Sequence, residues 1–345
     1  MALYLLLRAY IRMILFFYFK KIIIIGKENI PKKEALIFVG NHENALLDSI
    51  NLAVSNKRKS YFLTRASVFK NPLVKRFLNA IRMTPVYRVR DGWQTITKNH
   101  EVFENCYDLL NTKKSIAIFP EGNHHINRRV RHLSKGFTRI IFGSLNKYKN
   151  LNIYIVPVGI NYDQHINYPH SISLYYGEAF LANPFYDEKD IHSSTKKLVK
   201  KTREALKKLT THIEDLESYD AKIEQLEKLN PNFLDPIATN KLLEDLNPKP
   251  NPKKKKSTIW FQIVFALNAF INWLPFIIWK FIKPKIKDKI FIGTFRLAVF
   301  IVLVPLFFLI QTFTVYYFYG LNYSLYFLLT YFSLAFLLKW APYRA

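Results

Sequence analysis

Phe38-Val-Gly-Asn-His-Glu-Asn-Ala-Leu-Leu-Asp48 is the stretch whose reading decides the fold. Ala35 to Val39 is a short apolar run that reads as a buried strand ending at a glycine. The polar cluster after it falls where strand ends in an α/β sheet open into a crevice. His42 is the candidate general base, because an imidazole can accept a proton near neutral pH and a carboxylate on its other ring nitrogen fixes the tautomer. Asp48 is the candidate carboxylate. On one continuous helix their six-residue separation would turn them about 240° apart. His42 is therefore expected in the turn, with a helix starting near Asn44 that carries Asp48 back toward it.

Working outward, Ile22 to Ile25, Ser115 to Phe119 and Asn152 to Val158 are further short strand-like runs with helical stretches between them. That order predicts an α/β domain over residues 21–190, built on a mixed, mostly parallel sheet flanked by helices. Ile118-Phe-Pro-Glu-Gly122 follows one of these runs. Pro120 and Gly122 force a sharp turn that presents Glu121 and the next backbone N–H groups at the strand end. Pro85-Val-Tyr-Arg88 places an arginine just beyond another extended segment, where a guanidinium can fork onto a phosphate. Lys135-Gly136 offers a second cation before a helix, and Val156-Pro-Val-Gly159 closes a further strand.

The rest of the chain has a different character. Its 29 Phe and 21 Tyr gather at the two ends, which points to lipid contact more than to one oversized soluble core. Leu3 to Phe19 carries Arg8 and Arg12 on one helical face, so residues 1–20 are expected to form a helix lying in the membrane interface. The charges sit inside the apolar run with no small-residue cleavage site after it, unlike a signal peptide. Ser194 to Leu216 reads as an amphipathic helix opening a helical and basic linker over 191–256. The membrane region follows over 257–345. In it Ile259 to Ile282 carries Asn268, Asn272 and Pro275, which predicts a re-entrant or interfacial helical pair over 259–282, broken near Pro275. Leu297 to Tyr319 is uncharged, and its roughly 23 residues at ~1.5 Å each cover ~34 Å, enough to cross a hydrocarbon core. With the turn at Gly320-Leu-Asn322 it predicts a transmembrane hairpin over 297–338.

Fifty-one Lys and Arg against 25 Asp and Glu give a formal charge of +26, which calls for polyanionic partners. The lysines crowd beside apolar segments, at 253–256 and 280–289, and no zinc or base-stacking module occurs. Anionic head groups of membrane lipids are therefore the expected partner, and nucleic acid is not. Counting lysines by the positive-inside rule predicts an integral protein of the cytoplasmic (inner) membrane, with its catalytic domain, both termini and residues 283–289 in the cytoplasm. Cys106 is the single cysteine, so no internal disulfide framework exists. His124, His125 and His132 match no standard metal spacing, and no metal is expected. A Gly-x-Ser-x-Gly elbow is absent, which sets aside a serine lipase.

Taken in order, Asn41-His42 through Asp48, Pro85 to Arg88, Phe119 to Gly122 and Val156 to Gly159 resemble the motifs of the glycerol-3-phosphate and lysophosphatidate acyltransferase family. The resemblance spans roughly Ile23 to Glu178. Five residues separate His42 from Asp48 where four are commoner, a spacing similar to that of fungal-type glycerol-3-phosphate acyltransferases and of bacterial relatives with a membrane tail. A Thr-Arg-Ser continuation, whose Arg holds phosphate in the family, is replaced by Asn123-His124-His125. Arg128, Arg129 or Arg131 are the candidates to supply that charge. The resemblance implies the glycerolipid acyltransferase fold and a transfer of a fatty acyl group from acyl-CoA or acyl carrier protein to a glycerol-3-phosphate or lysophosphatidate hydroxyl, in phospholipid synthesis and with no cofactor. His42 would be the base and Asp48 its orienting carboxylate. Asn41, Arg88, Glu121, Gly122 and Lys135 would bind substrate. A lyso-aminolipid acceptor, or a non-catalytic lipid-binding scaffold on the same fold, are the alternatives.

Overall fold

The computed structural model describes residues 2–87, 98–245 and 258–341. Its centre is an eight-stranded sheet. In chain order the strands are β1 (Ile22–Ile25), β2 (Ala35–Gly40), β3 (Tyr61–Arg65), β4 (Met83–Val86), β5 (Ser115–Ile118), β6 (Ile153–Tyr162), β7 (Ile172–Tyr176) and β8 (Phe180–Leu181). They lie in the order β1-β7-β6-β2-β5-β3-β4, with β8 beside β6. β2 runs parallel to both β5 and β6, pairing Ile37 with Ile116 on one side and with Ile155 on the other. β7 and β8 run antiparallel to β6, so the sheet is mixed but mostly parallel.

Strand periodicity sorts the side chains into two cores. Ile37, Val39, Ile116, Ile153 and Ile155 pack on one face. There they meet α4 (Lys98–Asn111), α5 (Gly136–Lys147) and α6 (Ile191–Lys207). Leu36, Phe38, Val156, Val158 and Ile160 pack on the other face. That face is covered by α1 (Ala2–Tyr18), α2 (Ala45–Ser55) and the start of α11 (Phe291–Tyr319). Both faces of β2 are buried throughout, which is why its sequence is uniformly apolar. α3 (Pro72–Ala80) lies between β3 and β4, and α7 (Tyr219–Lys228) and α8 (Pro236–Glu244) follow α6.

Several expectations need correction. The helix expected over 194–216 starts earlier, capped by Asp190 on the Ser193 N–H, and ends at Lys207. Beyond it the backbone is captured by side chains: Asn161 donates to the Leu209 carbonyl and Asn240 accepts from the His212 N–H. α1 is not a separate interfacial element at its C-terminal end, because Leu15, Tyr18 and the following Phe19 are buried in the core. Arg8 donates to the carbonyls of Asn56 and Arg58, just past α2. Leu3, Leu6 and Met13 stay exposed.

The apolar C-terminal part begins with α9 (Ile259–Ile271) and α10 (Trp273–Ile282), which meet at a 93° bend. The break falls at Asn272, near Pro275 as expected. Pro275 lies in the first turn of α10, where a missing N–H costs little. α11 and α12 (Leu321–Trp340) form a hairpin about Gly320, and both are long and apolar enough to cross a membrane. α11 begins before Leu297, and its first turns belong to the globular core. Arg296 is buried there, donating to the Tyr18 hydroxyl and the Ile166 carbonyl and lying against His170 Nδ1. At the other end of the hairpin Lys339 donates to the Phe19 carbonyl and Lys20 to that of Leu338. Both ends of the hairpin are thus anchored to the sheet domain, while exposed Tyr316, Tyr317, Tyr319, Tyr323 and Tyr326 surround its distal turn.

Candidate active site

The parallel strands β2, β5 and β6 end on the same side of the sheet, and their C-terminal residues make the site. After β2 the chain turns through Asn41 to Asn44 and enters α2 at Ala45, whose φ of 27° is unusual for a residue with a side chain. That turn brings His42 Nδ1 to 2.8 Å from Asp48 Oδ2. The same oxygen accepts the Asn44 N–H at 2.7 Å, and Oδ1 accepts the Tyr162 hydroxyl at 2.7 Å. Asp48 is fully buried, whereas the His42 side chain keeps 16% of its surface exposed. A carboxylate only accepts, so the ring hydrogen sits on Nδ1 and Nε2 carries the lone pair. An imidazole held this way is equipped to take a proton from a hydroxyl in the crevice.

The neighbours fix the ring. Phe119, first residue after β5, stacks on His42 with centroids 4.5 Å apart, and His124 meets it edge-on at 5.5 Å. The His125 N–H donates to the His42 carbonyl. Burial, and then the proximity of His42, lowers the pKa of His124. Burial raises that of the Tyr162 phenol well above its usual value, with Asp48 adding to the effect. Tyr162 is therefore a hydroxyl donor to Asp48 across the working pH range.

Of the remaining expected residues, Glu121 and Arg131 come together, with Nε 3.0 Å from Oε2. Burial pushes the Glu121 carboxyl up to about 7 against the opposing pull of Arg131. Its Oε1 is buried with no hydrogen-bond partner among the described residues. Gly122 has φ of 68°, the left-handed conformation that completes the tight turn after Pro120. The Ser134 N–H donates to the Pro120 carbonyl, which ties the segment leading to exposed Lys135 to this turn.

Asn41 and Arg128 are framework rather than ligand-facing groups. Asn41 is buried and its amide is spent on both the N–H and the carbonyl of Ile160, locking the end of β2 to β6. Arg128 is buried over the Phe233 ring and donates to the carbonyls of Tyr162 and Asp163. Arg129 has a buried Nε without a hydrogen-bond partner among the described residues. Arg88 lies outside the described residues, one position past Tyr87, whose backbone is held by Asn99. No group of three or more His, Cys, Asp or Glu among the described residues could hold a metal.

Residues 21–161 match the family model described as Acyltransferase. This segment is an acyltransferase-family domain. Glycerol-3-phosphate O-acyltransferase 2 of Saccharomyces cerevisiae is 28% identical over 123 residues, 35% of this chain. The 1-acyl-sn-glycerol-3-phosphate acyltransferase of Borreliella burgdorferi is 29% identical over 133 residues, 39% of this chain. The aligned segments make up 17% and 51% of those two proteins. The crystal structure of the 1-acyl-sn-glycerophosphate (LPA) acyltransferase PlsC from Thermotoga maritima aligns with 54% of this chain and 72% of its own, at 20% identity and a TM-score of 0.37.

The acyltransferase-family segment contains His42, Asp48 and Glu121, and part of what braces them comes from beyond it. Tyr162 lies one residue past its end. Glu43 is paired with His165 at 2.8 Å, on the loop after β6. Phe291 of α11 packs edge-on against His124 at 4.8 Å. A Cβ on Gly293 would lie 2.8 Å from the Asn44 side chain, so the helix presses directly on the His-to-Asp turn. The sequence reading missed all four contacts. Glu43 had a visible signal in its place next to His42, whereas Tyr162 lies four residues past the expected end of its strand at Val158 and had none.

Proposed function

We propose that the chain is a membrane-bound O-acyltransferase moving a fatty acyl group from a thioester, acyl-CoA or acyl carrier protein, to the hydroxyl of a glycerophosphate-type acceptor. The observation that carries this reading is the His42–Asp48 pair at the crevice, with Nε2 free of any partner among the described residues. His42 Nε2 takes the acceptor's hydroxyl proton while Asp48 stabilises the imidazolium. The oxygen attacks the thioester carbonyl, and the tetrahedral intermediate collapses with loss of the thiolate, which the imidazolium reprotonates. The acceptor hydroxyl is itself the nucleophile, so no acyl-enzyme is required.

Glu121 Oε1, without a hydrogen-bond partner among the described residues, would accept from a second acceptor hydroxyl, and Arg131, with Lys135 and Arg88, would supply positive charge for the phosphate. Gly122 leaves the backbone open beside them. Arg131 takes the part of the missing motif arginine, because it is partly exposed and paired with Glu121 at the turn, whereas Arg128 is buried and occupied internally. The hairpin of α11 and α12 anchors the domain to the cytoplasmic membrane, with the catalytic domain and residues 283–289 on the cytoplasmic side among anionic head groups. Purified full-length protein assayed with both donor types against glycerol-3-phosphate, lysophosphatidate and a lyso-aminolipid tests the chemistry. Absence of transfer to either phosphate acceptor would reject it. Cysteine labelling in intact cells, with Cys106 replaced, tests the topology; labelling at 286 with protection at 322 would invert it.

A further inference from the structure

A cavity of about 620 Å³ lies where the C-terminal helices meet the sheet domain. Phe265, Trp279, Val299, Phe300, Phe308 and Phe332 form much of its wall. Of the polar side chains between them, Asn268 donates to the Leu334 carbonyl, Asn272 to that of Asn268, and the Tyr331 hydroxyl to Asn272 Oδ1, while Asn167 and Lys283 also line the wall. An apolar ligand would find mainly aromatic and branched surface there. The volume falls in the range of roughly 300–1,000 Å³ typical of small-molecule sites. Its wall comes from α1, α9, α10, α11 and α12, and only Ile166 to Tyr168 come from the sheet domain.

α11 connects this cavity to the reaction centre. Phe291 and Gly293 touch His124 and Asn44, and from Arg296 to Phe308 the same helix lines the cavity. Gly293 and Val299 are about 9 Å apart at ~1.5 Å per residue. A fatty acyl chain that fills one leaflet of a ~30 Å hydrocarbon core is about 15 Å long. We propose that this cavity receives the fatty acyl chain of a lipid drawn from the bilayer. The proposal rests on the acyl-transfer reading for which lipid is bound, and on the cavity alone for the chain itself.

The test uses the full chain in liposomes with two probes, a long-chain acyl thioester and a lysophosphatidate, each carrying a photoactivatable diazirine near the chain end. We expect labelling of peptides from α9, α11 and α12 that excess unlabelled probe abolishes. Labelling falls at least about tenfold when Ala269→Phe and Ala335→Phe fill the cavity, since a pocket discriminates even one methylene by roughly 10–200-fold. The probe that is competed names the source, donor or acceptor. Phe308→Ala, which enlarges the cavity, shifts turnover toward longer chains and guards against a filled variant that fails to fold. Labelling that competitor leaves unchanged, or that persists in a folded filled variant, overturns the proposal. Competed labelling without transfer to any acceptor leaves the cavity standing and removes the acyl-transfer reading instead.

Discussion

Asp48→Asn separates what the carboxylate's charge does from what its geometry does. Oδ2 accepts two hydrogens, from the Asn44 N–H and His42 Nδ1, while Oδ1 accepts one from the Tyr162 hydroxyl. The amide –NH₂ of the variant cannot face Asn44, where two donors would meet. It turns toward Tyr162, whose hydroxyl rotates to accept. The amide oxygen then stays on His42 and Asn44, so the tautomer with a bare Nε2 is preserved and only the charge is lost. Two unit charges ~4 Å apart at an effective dielectric of ~20 attract by about 4 kcal/mol. Losing that from the imidazolium-bearing transition state slows transfer by roughly 10³-fold, at ~1.4 kcal/mol per decade. Single-turnover acyl transfer with purified variant measures it, with thermal denaturation in detergent to show the fold intact. Adding Tyr162→Phe leaves the amide –NH₂ without an acceptor and should lower the rate further. An Asp48→Asn protein within threefold of the wild-type rate refutes the reasoning.

Glu121→Gln should alter stability with a definite sign in pH. Its folded-state carboxyl is raised from 4.5 to about 7, so the wild type is relatively most stable below 4.5 and loses stability as pH rises through 7. At ~1.36 kcal/mol per unit the variant gains up to about 3 kcal/mol on the wild type across that window; parallel melting curves from pH 4.5 to 8 contradict this. Arg131→Gln should raise the acceptor's KM roughly 10–100-fold, the equivalent of one lost charge-assisted hydrogen bond, with donor KM unchanged. Arg128→Gln should instead lower the melting temperature, because the carbonyls of Tyr162 and Asp163 lose their donor; a KM effect without destabilisation would reverse the two assignments. Gly293→Ala places a methyl 2.8 Å from the Asn44 amide. Since ~1 Å of misplacement costs on the order of 10²-fold, a shift of a few tenths should slow turnover roughly five- to tenfold, and an unchanged rate would detach α11 from the site.

The strands most legible in the sequence are those written as short apolar runs, partly exposed β1 at one edge of the sheet included. β2, β5 and β6 sit in the middle of the sheet, and their apolar runs announce them. β4, with Pro85 inside it, lies at the sheet's edge, and β3, with Tyr61 and Arg65 at its ends, stands next to it; their partial exposure admits polar and irregular residues. The His42–Asp48 relation was legible because a six-residue spacing and a turn leave few geometries. The bracing of that pair was not, since Tyr162 and Asp48 are 114 residues apart and Glu43 and His165 are 122 apart. Arg128 and Arg131 are indistinguishable as neighbours in a basic run; Phe233 and the Tyr219 hydroxyl, far along the chain, decide that Arg128 is internal. The hairpin was read from Leu297 because the stretch from there to Tyr319 is uncharged, whereas α11 starts earlier and Tyr18, Ile166 and His170 enclose Arg296 inside the fold.

The central claim is that His42 removes the acceptor's proton, and His42→Ala tests it most directly. The variant, reconstituted in liposomes, is given a radiolabelled acyl thioester and the phosphate acceptor that the wild type uses best. Esterified product is measured over time, beside a membrane-flotation and melting control. Removing a general base should lower turnover by ~10²–10⁴-fold, with melting temperature and membrane association essentially unchanged, because His42 is the partly exposed member of its pair. Transfer by a folded, membrane-bound His42→Ala protein at close to the wild-type rate would contradict the account.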